Sequence, residues 1–210
     1  MPLRFPVPII YPITSGPETL RLVRAAVDAE VPLFQIREKT LSARELYELV
    51  VRAVSITRGS KTRLMVNDRV DVARAAGADG VHLTARSLPA QVVRSTCGPE
   101  FLIGVSTHSL EEAKAARVAG ADFVVFGPVF ETESKRAFGP PQGLDKLRDV
   151  TRELSGFPVL AIGGITLDNI AACLDAGAHG VAGISLFNTA LSQIVENIRS
   201  KSTGRLEDVL

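Results

Sequence analysis

Short buried strands alternate with amphipathic helices from one end of this sequence to the other. Eight runs rich in Val, Ile, Leu and Phe have the length and composition of buried parallel strands. Between them, apolar residues recur at three- and four-residue spacing, as in Leu46, Leu49, Val50 and Ala53, which is typical of helices with one buried face. The predicted strands span residues 7–14, 31–38, 63–67, 80–84, 101–106, 123–130, 158–163 and 180–186.

Eight strand–helix units in 210 residues predict an α/β fold of one domain, a single (β/α)₈ TIM barrel over residues 1–210. An open doubly wound sheet is the alternative that this alternation leaves possible. An Ala-Gly-Ala repeat at residues 76–78, 119–121 and 176–178 supports the barrel, because each copy lies where a helix ends and a strand begins. Glycine there can adopt the left-handed conformation that ends a helix. We therefore interpret the repeat as structural.

The charge balance restricts the class of ligand. With 24 basic and 23 acidic residues the net charge is +1, which argues against a nucleic-acid or membrane-surface partner. The N-terminal apolar run is interrupted by Pro6, Pro8 and Pro12, unlike a signal peptide, and no stretch is long enough to span a bilayer. We expect a cytoplasmic protein that binds small molecules, with Cys97 and Cys173 as reduced thiols.

Polar residues end the second predicted strand. Gln35, Arg37 and Lys39 are spaced by two and therefore share one face. Unpaired buried cations are costly, so we expect these side chains at the mouth of the barrel, facing an anion. The alternative is an internal salt-bridge network that closes the barrel.

Asn67 and Asp68 lie where the third strand ends and a helix begins. Either residue could cap that helix, since both types are favoured at that position. Asp68, beside Arg37 on the neighbouring strand, could equally hold Mg²⁺ against phosphate oxygens. The residues alone leave both interpretations open.

Hydroxyl and histidine side chains follow the fifth and sixth strands. Ser106 and His108 follow the fifth strand, and His108 is either a general base or, more commonly for a loop histidine, satisfied locally. His82 and His179 are interpreted as structural. The long connection at residues 131–142 carries Thr132, Ser134 and Lys135, a candidate phosphate clamp.

Glycines follow the last two strands. The seventh strand ends in Gly163 and Gly164, and the eighth carries Gly183 followed by Ile184 and Ser185. In TIM barrels, the recurrent phosphate site is built from the loops after strands seven and eight. Glycine exposes backbone N–H groups there, so this segment predicts an anion site.

Taken in order, these motifs resemble the thiamine-phosphate synthase and thiazole tautomerase family over nearly the whole chain. The matching segments are Gln35–Lys39, Asn67–Asp71, Gly80–Leu83, Ser106–Ser109, Phe126–Phe130 with Thr132, Ser134 and Lys135, Ile162–Ile165, and Ile184–Ser185.

The resemblance implies a synthase that condenses a pyrimidine diphosphate with a thiazole phosphate, releasing pyrophosphate. It implies that Gln35, Arg37, Lys39, Asn67 and Lys135 hold the diphosphate, that Asp68 binds the Mg²⁺ cofactor, and that Ser106 contacts the pyrimidine substrate. The implied thiazole phosphate ligands are Thr132, Ser134, Gly164, Ile184 and Ser185. Arg37, Lys39, Lys135 and Ser106 are the implied catalytic set.

The chain departs from the synthase pattern at Ser87, where the family usually carries a second magnesium-binding aspartate. Ser15 likewise stands where an acidic residue often follows the first strand. These losses suggest the metal-independent thiazole tautomerase as an alternative, although Pro128 stands where the tautomerase has a histidine. A phosphate-binding barrel without catalysis is a further alternative. The role of Arg86 and the oligomeric state are left open.

Overall fold

The computed structural model describes residues 5–14, 16–132, 140–187 and 191–206, and for 201–206 only the backbone. Strands and helices alternate as predicted. The strands are β1 (Ile9–Pro12), β2 (Leu33–Ile36), β3 (Arg63–Asn67), β4 (Gly80–Leu83), β5 (Leu102–Thr107), β6 (Phe123–Phe126), β7 (Val159–Ala161) and β8 (Gly180–Gly183). The helices are α1 (Thr19–Asp28), α2 (Ala43–Thr57), α3 (Val70–Ala76), α4 (Ala90–Cys97), α5 (Leu110–Val118), α6 (Gly143–Glu153), α7 (Ile170–Asp175) and α8 (Leu191–Leu206).

All eight strands are parallel and form one sheet that closes on itself. Each strand from β2 to β7 pairs with the next one along the chain, and β8 pairs with β1. The circle is completed by a bridge between Ile13 and Gln35, where the Thr14 N–H donates to the Gln35 carbonyl oxygen at 2.9 Å. The predicted barrel is thus confirmed, and the open doubly wound sheet is wrong.

Two apolar layers stabilise the barrel. The inner layer fills the space between the strands with side chains such as Ile9, Leu33, Met65 and Phe123. The outer layer lies between the strands and the helices, and it includes the buried faces of α1 and α2. The alternation of these two layers along each strand follows from the two-residue period of β structure.

The strand ends differ from the predicted ones in ways that shape the mouth. The sixth strand was predicted to reach residue 130 but ends at Phe126, because Pro128 has no N–H to continue the ladder. The eighth ends at Gly183, where a short 3₁₀ helix over Ser185–Phe187 begins almost at once. The repeat glycines at 77, 120 and 177 all have positive φ, as predicted, at the opposite end of the barrel.

In the part of the chain that the structure describes, no helix is both long and apolar enough to cross a membrane.

Candidate functional site

The polar residues singled out in the sequence lie around one mouth of the barrel. Because every strand runs in the same direction, all carboxyl ends face the same side. The structure places there the predicted residues Arg37, Lys39, Asn67, Asp68, Ser106, Thr132, Gly164, Ile184 and Ser185. Ser134 and Lys135, the remaining members of the predicted phosphate clamp, lie outside the described residues.

Gln35 lies deeper than its two sequence partners. Its side chain is 1% exposed and its Nε2 atom donates to the Tyr11 hydroxyl at 2.9 Å inside the barrel. The expectation that the three residues share one level at the mouth is therefore wrong for Gln35. The reason is that β2 ends at Ile36, so only Arg37 and Lys39 extend beyond the strand.

Arg37 is a half-buried cation at the mouth. Among the described residues, no carboxylate or other acceptor bonds its guanidinium group. The adjacent Glu38 carboxylate is engaged elsewhere, accepting from the Gly16 N–H and, at 2.7 Å, from the Thr19 hydroxyl. Burial lowers the pKa of Arg37, an effect that Glu38 partly offsets, and a buried cation without a counter-ion favours a bound anion.

Asp68 is held at the mouth in an unusual backbone conformation. Its φ is 65°, in the left-handed region that costs most residues about 1–3 kcal/mol and that Asp tolerates better than most. Helix α3 begins after Arg69 without any side-chain cap, so neither Asn67 nor Asp68 serves the capping role. The exposed Asp68 carboxylate instead accepts a hydrogen bond from the Ser87 hydroxyl at 2.5 Å.

Ser87 occupies a tight turn after β4. The Ser87 N–H donates to the Thr84 carbonyl oxygen at 3.0 Å, and the Thr84 N–H donates to the Ser87 hydroxyl at 2.8 Å. The turn therefore points the Ser87 hydroxyl at Asp68. The neighbouring Arg86 side chain is exposed.

The other half of the mouth is a cavity of about 270 Å³ between the ends of β4–β8. Its floor and walls are mostly apolar or backbone, and its polar rim carries hydroxyl groups. The lining includes Thr84, Ser106, His108, Pro128, Thr132, Gly163, Gly164, Ile184 and Ser185. The His108 ring bonds the Gly127 carbonyl oxygen through Nδ1. This is the local hydrogen bond expected of a loop histidine, the second of the two interpretations given to His108.

A backbone cradle forms one wall of this cavity. Gly163 and Gly164 have φ values of 96° and 64°, and a Cβ atom on Gly164 would lie 2.5 Å from the Glu131 carbonyl oxygen. Both positions therefore require glycine. Within the described part of the chain, the N–H groups of Gly163, Gly164, Ile184 and Ser185 form no hydrogen bond, so they are free to bind an anion.

Known proteins resemble this chain over most of its length. A family model described as "Thiamine monophosphate synthase" matches residues 8–187. The chain belongs to this family. A thiamine-phosphate synthase of Moorella thermoacetica is 44% identical over 179 residues, which cover 85% of each chain. One from Roseiflexus sp. is 43% identical over 182 residues, covering 84% of this chain and 77% of that one.

A solved structure supports the same membership. The thiamine phosphate pyrophosphorylase from Pyrococcus furiosus superimposes with a TM-score of 0.81 at 36% identity, covering 93% of this chain and 95% of that one. The family resemblance stated from the motifs is thereby confirmed, and so is the barrel.

Two buried residues of this family member were missed or undervalued by sequence reasoning. Tyr11 is fully buried inside the barrel, and His82, interpreted only as structural, is 3% exposed and bonds the Ser106 hydroxyl through Nε2 at 2.8 Å. The available signal was the two-residue period of β1. Tyr11 is two residues from both Ile9 and Ile13, and all three side chains face the barrel interior.

The burial of His82 makes the stability of the fold depend on pH. Burial lowers its pKa to about 3, with a further contribution from the nearby Arg37 cation, whereas an unfolded histidine titrates near pH 6.5. Below that value the unfolded chain binds a proton that the folded chain does not. The free energy of unfolding should therefore fall by about 1.4 kcal/mol per pH unit as the pH is lowered from about 6.5 to 4.5.

Urea unfolding across this range tests the expectation. In the His82→Gln variant, the slope of the free energy of unfolding against pH should decrease by the contribution of one proton. The Ser106→Ala variant keeps the buried histidine and should retain the wild-type slope. An identical pH dependence in wild type and His82→Gln would contradict the assignment.

Proposed function

We propose that this chain catalyses the condensation of a hydroxymethylpyrimidine diphosphate with a thiazole phosphate, giving thiamine phosphate and pyrophosphate. The observation that carries the proposal is the division of one mouth into two anion-binding halves. A half-buried guanidinium without a counter-ion lies at one side, and a glycine cradle with free N–H groups lies at the other. Family membership and the activity for which the relatives are named support the same reaction.

The diphosphate is assigned to the side of the mouth at β2 and β3. Arg37 supplies the uncompensated positive charge there, with Lys39 and Asn67 at the ends of the same two strands. Guanidinium groups bind phosphate oxygens in a bidentate geometry, which fixes the orientation of the leaving group. Lys135 belongs to the same proposed set by family resemblance. Gln35, buried and bonded to Tyr11, can reach only the part of the substrate that enters the barrel.

The residues at the end of β3 fit a magnesium ion carried with the diphosphate. The described residues contain no cluster of three or more metal-ligating side chains, so Asp68 would be the principal protein ligand. Mg²⁺ commonly keeps several water molecules and binds through one or two carboxylates plus substrate phosphates, which suits this single exposed carboxylate. When bound, the ion would neutralise charge that develops on the departing pyrophosphate.

The thiazole phosphate is assigned to the cavity. Its phosphate group would accept from the N–H groups of Gly164, Ile184 and Ser185, and the hydroxyl groups of Thr132 and Ser185 would complete the site. The family resemblance adds Ser134 to this proposed set. The apolar cavity wall would cover the ring and orient its nitrogen atom toward the pyrimidine.

The reaction needs no protein nucleophile. The bond between the pyrimidine methylene carbon and the ester oxygen of the diphosphate breaks, and its electron pair leaves with pyrophosphate. The positive charge is delocalised into the electron-rich pyrimidine ring until the thiazole nitrogen supplies an electron pair and forms the new carbon–nitrogen bond. The protein's contribution is to hold the two substrates in line and to stabilise the departing anion.

A carboxylate introduced at Ser185 should selectively weaken the binding of thiazole phosphate in the cavity. In Ser185→Glu the negative charge would face the phosphate group, so the Kd for thiazole phosphate should rise at least about tenfold, a loss of about 1.4 kcal/mol. Titration calorimetry measures this directly. Ser55→Glu, at an exposed position on α2, is the matched control and should bind as the wild type does. Equal affinity in the two variants would show that the phosphate binds elsewhere.

The side chain at position 87 should determine how much Mg²⁺ the reaction requires. Because the Ser87 hydroxyl already contacts Asp68, a Ser87→Asp carboxylate would lie beside the Asp68 carboxylate and strengthen the attraction for a divalent cation. The Mg²⁺ concentration for half-maximal thiamine phosphate formation should fall in Ser87→Asp and should not fall in Ser87→Ala. Asp68→Asn should lower the rate by about a hundredfold, equivalent to roughly 2.7 kcal/mol.

The same experiment distinguishes the alternatives. Conversion of thiazole phosphate tautomers without Mg²⁺, together with an unaffected Asp68→Asn variant, would favour the tautomerase. Ligand binding without turnover in every variant would favour the non-catalytic binding barrel.

A further inference from the structure

Four polar side chains form a continuous line across the interior of the barrel, directly below the mouth. They are Gln35 from β2, Tyr11 from β1, His82 from β4 and Ser106 from β5, and we call this set the Gln35–Ser106 string. The Gln35 Nε2 atom lies 2.9 Å from the Tyr11 hydroxyl, which lies 3.4 Å from His82 Nδ1. His82 Nε2 lies 2.8 Å from the Ser106 hydroxyl.

The line is isolated from solvent except at one end. Gln35, Tyr11 and His82 are 1%, 0% and 3% exposed, and they are surrounded by the apolar inner layer of the barrel. Tyr11 and His82 also pack edge-on or tilted against Phe123. Only Ser106 reaches the cavity, where it lies on the lining. Buried polar groups of this kind must satisfy one another.

The donor and acceptor roles propagate along the string. An amide nitrogen can only donate, so the Tyr11 oxygen accepts from Gln35 and its single proton is available for His82 Nδ1. A neutral imidazole carries one proton, which must then lie on Nε2 and be donated to the Ser106 oxygen. The proton of the Ser106 hydroxyl has no role inside the string and is free to point into the cavity.

The charge states keep this polarity fixed. His82 is 3% exposed and packs against Phe123, and burial in such surroundings favours the neutral imidazole. Burial raises the pKa of the Tyr11 hydroxyl far above its ordinary value, an effect that the Gln35 hydrogen bond only partly offsets, so Tyr11 keeps its proton. Reversing the string would require the Gln35 amide to rotate and all three hydrogen bonds to invert together.

We propose that Tyr11 and His82 are positioning residues that hold Ser106 as a hydrogen-bond donor toward the ester oxygen that joins the departing diphosphate to the pyrimidine methylene carbon. This inference rests on the proposed function for the identity of the substrate. A donor placed against a pyrimidine ring nitrogen would withdraw electron density from the ring that must carry positive charge. A donor placed against the departing oxygen stabilises the negative charge that grows there, without giving up its proton. Ser106 lies on the cavity lining, and His82, which bonds it, pairs with Asn67 on the β3 side of the mouth.

The tautomer of His82 tests the polarity in the ligand-free protein. Nitrogen-15 NMR of histidine-labelled protein should show a protonated Nε2 and an unprotonated Nδ1 for His82. The signal is assigned by its loss in His82→Gln, because the chain has only three histidines. Tyr11→Phe removes the donor to Nδ1 and should abolish the strong preference between the two nitrogens. A proton on Nδ1 in the wild type, or an equal mixture, would overturn the proposal.

Kinetics test the consequence for Ser106. In His82→Gln the longer amide places its nitrogen near the position of Nε2 and can still donate to Ser106, whereas the amide of His82→Asn is too short. We expect kcat to fall about tenfold or more in His82→Asn and in Tyr11→Phe, equivalent to the loss of one oriented hydrogen bond, and less in His82→Gln. The KM for thiazole phosphate should change little in all three. His179 precedes β8, at the end of the barrel opposite the mouth. The His179→Gln variant is therefore the control and should keep the wild-type kcat.

The two claims fail in different ways. If the wild type forms thiamine phosphate but His82 carries its proton on Nδ1, the positioning role is wrong and the proposed function stands. If the tautomer is as expected but no thiamine phosphate forms, the proposed function is wrong. Equal kcat values for His82→Gln and His82→Asn would show that His82 acts through packing alone, and would also overturn the positioning role.

Discussion

Closure of the parallel sheet between β1 and β2 is the constraint on which the site depends. The bridge between Ile13 and Gln35 makes the eight strand ends a ring, so that residues nearly 150 positions apart in the sequence face a common mouth. The same closure brings Tyr11 beside Gln35 inside the barrel. Without it, the guanidinium of Arg37 would lie at one edge of an open sheet, and the cradle after β7 would lie toward the opposite edge.

The mouth is electrostatically divided, and the division follows from how each half is built. Side-chain charge defines the half at β2 and β3, where Arg37 lacks a counter-ion and Asp68 is held by Ser87. Backbone dipoles define the other half, where glycine is required for the chain to approach closely. Under the proposed function, a diphosphate and a phosphate monoester would therefore bind at the same time without competing for the same donors.

The sequence predicted the architecture well because strand–helix alternation and the two-residue period act locally. Position at the carboxyl end of a parallel strand also places the described candidate residues at the mouth, apart from Gln35. It did not predict the depth of Gln35, which depends on where β2 ends, nor the absence of a side-chain cap on α3, which depends on the left-handed backbone at Asp68. The link from Tyr11 to His82 was likewise missed, because it depends on side chains from nonadjacent strands meeting inside a closed barrel.

A crystal structure with thiamine phosphate, pyrophosphate and Mg²⁺ would test the central claim of a divided mouth most directly. The account predicts the phosphate monoester on the N–H groups of Gly164, Ile184 and Ser185. It predicts pyrophosphate against Arg37 with the metal on Asp68, and the heterocycles between them beside Ser106. The reverse arrangement, with pyrophosphate in the glycine cradle and the monoester at Arg37, would contradict it, as would products bound away from the mouth.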